Sequence, residues 1–210
     1  MDALAQVLQQ VAPSRWAQAA PLTVVFGYPF ARDYALPWPE GITRLRDYQA
    51  YAMHHAPFAE AIPGGWQVGF HLPRWGAAAQ SYAVPAVQYQ TVLALCKETR
   101  MRLFAVHTPL SASLAQYRAR LPRDCALVVE GASLHCAFVR DTVVTQTFCW
   151  PWNAVRPLRD SLTLACALAD ITLPDTVWIA AARPDNSAVW DEWVWLGVVG
   201  CGWVRLGVVG

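Results

Sequence analysis

The chain has 210 residues, enough for one large domain or two small lobes that bury about 70% of their unfolded surface. Sixteen basic against fifteen acidic residues leave a net charge of +1 with no basic block, which argues against nucleic acid or an anionic membrane as an electrostatic partner. Apolar residues make up 55% of the chain, charged residues 15%, and eleven are Trp, so some apolar surface is expected to remain for a partner.

In chain order, residues 1–16 read as a short amphipathic helix ended by Pro13, without the basic and apolar regions of a signal peptide. LTVVFG (22–27) and ARDYALPW (31–38) are β-type runs, expected to pair as a hairpin around Tyr28-Pro29-Phe30. From Thr43, Leu45, Tyr48, Tyr51, Ala52, His55, Phe58 and Ile62 keep helical spacing up to Pro63. WQVGFHL (66–72) and QSYAVP (80–85) predict two strands, and Val87 to Thr99 a helix. RLFAVHT (102–108) predicts a strand, followed by a helix carrying Leu114, Tyr117 and Leu121 that Ser111 or Ser113 can cap.

Three further β-runs, 125–130, 133–140 and 143–150, are joined by turns so short that they must form an antiparallel meander. A helix over 156–170 is expected to lie on one face of it, burying Leu162 and Ala165, before a last strand at 176–182. Strands in groups of three alternating with helices indicate an α/β layer fold with mixed sheets and flanking helices. The tail repeats itself: WVWLGVVG (193–200) recurs as WVRLGVVG (203–210). Its five glycines and Arg205 count against a membrane span and favour a strand hairpin or an ill-ordered end.

No chemical motif declares itself. The six cysteines (96, 125, 136, 149, 166, 201) include no CxxC, which excludes zinc ribbons and thioredoxin chemistry and predicts free, reduced thiols. There is no Walker loop, no GxGxxG and no HExxH around His54 and His55. His71 and His107 end β-runs but have no elbow serine or carboxylate partner in the sequence pattern. Adjacent strand residues point to opposite faces, so His135-Cys136 is expected to be one buried Cys and one exposed His.

VVEGASLHCAFV (128–139) has the outline of the strand–turn–strand unit that cradles a phosphate in nucleotide-binding enzymes of the actin and Hsp70 type. Such a turn needs an Asp for the magnesium water and glycines for close backbone approach. Here the acid is Glu130 and the only glycine Gly131, so the turn is expected to be a degenerate relic. In the first hairpin Gly27 is flanked by bulky Tyr28 and Phe30. Trp38, Trp66, Trp75, Trp150 and Trp152 fall at strand ends and turns; Trp38, Trp150 and Trp152 are the candidate interaction residues, against a plain core-capping role.

VVFGYPFARDYALPWPEG, the helix bearing DYQAY, GWQVGF and RLFAVHTPL together resemble small actin-like assembly proteins of bacteria. The relatives in question are the cytoplasmic domain of the type II secretion L protein and the PilM-like type IV pilus proteins. VVEGASLHCAFVRDTVVTQTF fits the second three-stranded unit of that pattern, and the likeness spans about residues 20–182. It implies a two-lobed actin-like, ribonuclease-H-like core, with an N-terminal helix at 1–20, lobes at 21–122 and 123–185, and the tail at 186–210. Taken with the missing phosphate loops, it points to a non-enzymatic scaffold without cofactor or metal. Such a scaffold is cytoplasmic or peripheral at the inner membrane, and its partners are other pilus or secretion assembly proteins. The alternative is a nucleotide- or small-molecule-dependent enzyme using the inter-lobe cleft, with Glu130 and Asp33 as its acids.

Overall fold

The computed structural model describes residues 6, 21–56, 62–71, 76–130, 133–151, 158–181, 198–199 and 202–203. The expected N-terminal helix, Trp75, Trp152, Gly131, Cys201 and most of the tail lie outside them.

The C-terminal sheet is the clearest case of sequence dictating structure. β6 (Cys125–Glu130), β7 (Ser133–Arg140) and β8 (Val143–Pro151) form the expected antiparallel meander, and β9 (Val177–Ala181) adds parallel to β6, giving the order β8-β7-β6-β9. A parallel neighbour needs a crossover, and α4 (Leu158–Ala169) supplies it. Alternation along β6 sends Ala126 and Val128 toward α4, where they meet Leu134, Cys136, Phe138, Leu162 and Ala165. Cys125, Leu127 and Val129 point the other way, against Leu110, Leu114 and Tyr117 of α3 (Pro109–Tyr117). The sheet is therefore covered on both faces, and every residue of β7 from Ser133 to Val139 is buried.

The N-terminal part departs from the local pairing that its sequence predicts. β1 (Pro21–Val25) does not form a hairpin with β2 (Arg32–Leu36). β1 pairs in parallel with β5 (Arg102–His107), and β2 pairs antiparallel with β4 (Ala79–Pro85), which also pairs with β3 (Trp66–His71). The Tyr28-Pro29 bond is cis, and the turn folds back through Phe30 and Ala31 amides donating to Gly27 O. α1 (Leu45–His54) stops short of the expected helix end and buries Tyr48 and Ala52, one turn apart, on the β2-β4-β3 sheet. α2 (Ala86–Glu98) is the crossover from β4 to β5.

α3 begins earlier than the serines suggest. Its cap is Thr108, whose hydroxyl accepts from Ser111 N at 3.0 Å while Ser111 Oγ accepts from Thr108 N at 2.8 Å. Pro109 sits at the first helical position, where its missing N–H costs nothing. In the tail, β10 (Val198–Val199) and β11 (Gly202–Trp203) form a separate two-residue antiparallel ladder.

Candidate functional site: a polar clasp between the sheets

β2 lies alongside β8, and this contact joins the N-terminal sheets to the C-terminal one. Along β2, Tyr34 and Leu36 enter the core under α1, so Asp33 and Ala35 face the C-terminal sheet. Asp33 is thereby placed as a carboxylate inside the molecule, its side chain 1% exposed. Burying a carboxylate is costly unless its lone pairs are taken. They are: Oδ1 accepts from Gln80 Nε2 at 2.8 Å and from Thr108 Oγ1 at 2.5 Å, and Oδ2 faces His135 Nδ1 at 3.3 Å.

These partners come from separate elements. Gln80 is on β4, Thr108 caps α3, and His135 is on β7. Beyond His135, Nε2 lies 2.9 Å from Ser133 Oγ and 3.8 Å from Cys149 Sγ, the latter directly cross-strand on β8. Burial pushes the Cys149 thiol up to about 12, with the Asp33 charge adding to the effect, so the sulfur is held protonated. Gln80 Oε1 is buried without a hydrogen-bond partner among the described residues.

His135 corrects the sequence expectation. It is buried beside a buried Cys136, because both faces of β7 are covered and alternation there separates two interiors rather than interior from solvent. Asp33, an expected acid of the inter-lobe alternative, is in this contact. Glu130 closes β6 opposite Leu134; its side chain and Gly131 lie outside the described residues, so the expected phosphate turn does too. No motif in the sequence marks Thr108, Gln80 or Ser133 as functional. The Thr108-Pro109-x-Ser111 spacing was the one available signal, a helix start preceding a proline.

The two candidate interaction residues that are described are partly buried. Trp38 is half-buried, stacked on Tyr48 with ring centroids 4.9 Å apart, and Trp150 is half-buried against the core under α4; Trp152 is outside the described residues. Exposed apolar side chains occur instead at Phe30 in the β1–β2 turn, Phe104 on β5, and Leu164 and Leu168 on α4. His107 Nδ1 lies 3.2 Å from Ser111 Oγ, and burial lowers its pKa. His71 is lowered by burial and then by the charges of Arg118 and His107. His55 is exposed, its Nδ1 3.2 Å from Tyr51 O. Among the described residues no three His, Cys, Asp or Glu side chains are grouped to hold a metal, and no helix is long and apolar enough to cross a membrane.

No family model and no curated protein matches this chain. Among solved structures it is similar to a Bacteroides thetaiotaomicron protein described as having an actin-like ATPase fold and unknown function. The TM-score is 0.55 at 8% identity, over 89% of this chain and 70% of that one. It also matches the cytoplasmic domain of EpsL, an inner membrane component of the type II secretion system of Vibrio cholerae, with TM-score 0.49, 12% identity and 78% of this chain covered. A PilM-PilN type IV pilus biogenesis complex matches with TM-score 0.47 and 15% identity over 80% of this chain. The chain spans 60% of the EpsL domain and 53% of the pilus protein. The mixed sheets, their crossovers and the Bacteroides match together establish that the chain has the actin-like fold.

Proposed function

We propose that the chain is an assembly scaffold of a bacterial pilus or type II-like secretion apparatus, working through protein contacts without turning over nucleotide. The observation that carries this reading is the Asp33–His135 contact. Asp33 is the second residue of β2 and His135 the third residue of β7. In an actin-like protein, strand–turn–strand units cradle phosphate; here side chains near the starts of two such strands bond each other. Exposed Phe104 and Leu168, 69% and 73% accessible, are in keeping with surfaces meant for other chains. The apparatus named is the one implied by the sequence resemblance over residues 20–182.

The test is a thermal melt of the purified chain with millimolar Mg-ATP. A site of micromolar affinity would stabilise the protein by about 4 kcal/mol at a thousandfold excess of ligand over Kd. No shift is expected, and affinity purification from a bacterial host should return inner-membrane assembly components. A saturable rise in Tm with Mg-ATP would overturn the reading. A second reading, an enzyme acting on a small molecule at the inter-lobe contact, is favoured by one observation: the hydroxyl of Ser133 at the far side of His135.

A further inference from the structure

The polar series that starts at Asp33 runs through an imidazole to a hydroxyl, and its hydrogens can be assigned from chemistry alone. Asp33 as a carboxylate only accepts, and it already accepts from Gln80 and Thr108. His135 Nδ1, 3.3 Å from Oδ2, must therefore carry a proton. In the neutral ring Nε2 then presents its lone pair to Ser133 Oγ at 2.9 Å, leaving the hydroxyl to donate. Carboxylate, oriented imidazole and hydroxyl in this order are the parts by which a serine is made nucleophilic.

We propose that Ser133 is a nucleophile activated by His135 and oriented through Asp33, and that it accepts the acyl group of small, uncharged carboxylic esters. Oγ bonds to the carbonyl carbon as its proton passes to Nε2. The carbon–alkoxy bond then breaks, and the alcohol leaves with that proton. Water repeats the sequence on the acyl-serine, releasing the acid and restoring the hydroxyl. Small size follows from burial, since Ser133 is only 5% exposed. Lack of charge follows from the low-dielectric surroundings and from the neighbouring Asp33 carboxylate. The other candidate nucleophile, Cys149, stays a thiol because burial holds its pKa near 12. Asp33 belongs to β2 whereas His135 and Ser133 belong to β7, so the relay is complete only while the N-terminal sheets and the C-terminal sheet are together.

This inference rests on the second reading above, and it fails separately from the scaffold reading because its test contains no nucleotide and no partner. The full chain is incubated with methanesulfonyl fluoride, a small reagent that loses fluoride to an activated serine Oγ, and the adduct is located by peptide mass spectrometry. One adduct on the Ser133 peptide is expected, abolished in Ser133→Ala and in urea-unfolded protein. Asp33→Asn and His135→Gln should slow labelling at least about 100-fold under conditions where circular dichroism shows the variants folded, because the base is misoriented or lost. The wild-type chain should also hydrolyse p-nitrophenyl acetate with a burst that the adduct abolishes. No adduct on the folded wild-type chain, or labelling that persists in urea or in His135→Gln, would overturn the proposal. The wild-type comparison in and out of urea decides the matter even where a variant fails to fold.

Discussion

Asp33 illustrates how one side chain can commit neighbouring elements to a single arrangement. Its three hydrogen-bond donors come from β4, the cap of α3 and β7, so moving any of these elements leaves a buried charge short of a partner. His135→Ala should therefore cost about 3 kcal/mol, at the low end for breaking a buried pair. A double-mutant cycle with Asp33→Ala should return a coupling of at least about 1 kcal/mol, read from urea midpoints. An additive pair would mean that the two groups do not sense each other. Gly69 makes a second residue-scale case. A Cβ there would lie 2.2 Å from the Tyr82 ring, whose hydroxyl donates to Val106 O and ties β4 to β5. Overpacking costs about 1–3 kcal/mol and the lost hydrogen bond about 1 kcal/mol more, so Gly69→Ala should destabilise by about 2–4 kcal/mol. Tyr82→Phe should lose only the smaller part. The sequence marks Asp33 as a candidate acid of the inter-lobe alternative but not its partners, and Gly69 only as a glycine between β-type residues. Their importance comes from neighbours at 47 to 102 residues' separation for Asp33 and from a cross-strand ring for Gly69.

At the scale of elements, legibility tracks how local the pairing is. The β6-β7-β8 meander was readable because its turns leave adjacent strands no alternative, and α4 was readable because Leu158, Leu162 and Ala165 keep one face. The expected β1–β2 hairpin does not form because the same turn signal also suits a corner. There the chain leaves a ladder with β5 and joins one with β4, both partners more than forty residues away. Turn chemistry also marks where this sequence is poorly matched to its own backbone. The β7–β8 turn places Asp141 and Thr142 at φ 47° and 67°, the left-handed pair that a two-residue hairpin wants, yet Thr142 is β-branched. Thr142→Gly keeps the carbonyl that accepts from Arg118 and the amide that donates to Arg123 O. It should stabilise by about 0.5–1 kcal/mol, the left-handed cost of Thr being partly offset by glycine's freedom in the unfolded chain. A lower urea midpoint for this variant would show that the threonine side chain contributes something the turn geometry does not reveal.

For the whole molecule, the buried titratable groups set a pH window. Burial raises Cys125 and Cys149 from 9.0 to about 12 and Tyr48 from 10.0 to about 12, with charge from Asp124, Asp33 and Tyr51 adding respectively. The folded chain holds these protons more tightly than the unfolded chain. Their contribution is therefore fully present below pH 9 and is lost as pH rises from about 9 to 12. His71 and His107 behave in the opposite sense. Burial lowers both from 6.5, so the folded state favours the neutral rings, and stability falls as pH drops below that value. These groups sit in different places, with Tyr48 under α1, the imidazoles at the ends of β3 and β5, Cys125 at the base of the C-terminal sheet and Cys149 in the clasp. The decline at high pH should consequently be a loss of global stability rather than the opening of one segment. Urea midpoints measured from pH 5 to pH 11 are expected to form a plateau between roughly 7 and 9 with shoulders falling on both sides. Cys149→Ser should soften the alkaline shoulder without moving the acid one, because it removes one of the raised thiols and leaves both imidazoles in place. A stability that stays level between pH 9 and 11 would mean that these thiols and Tyr48 lose their protons as readily in the folded chain as in the unfolded one, and so are not held in the buried surroundings that raise them.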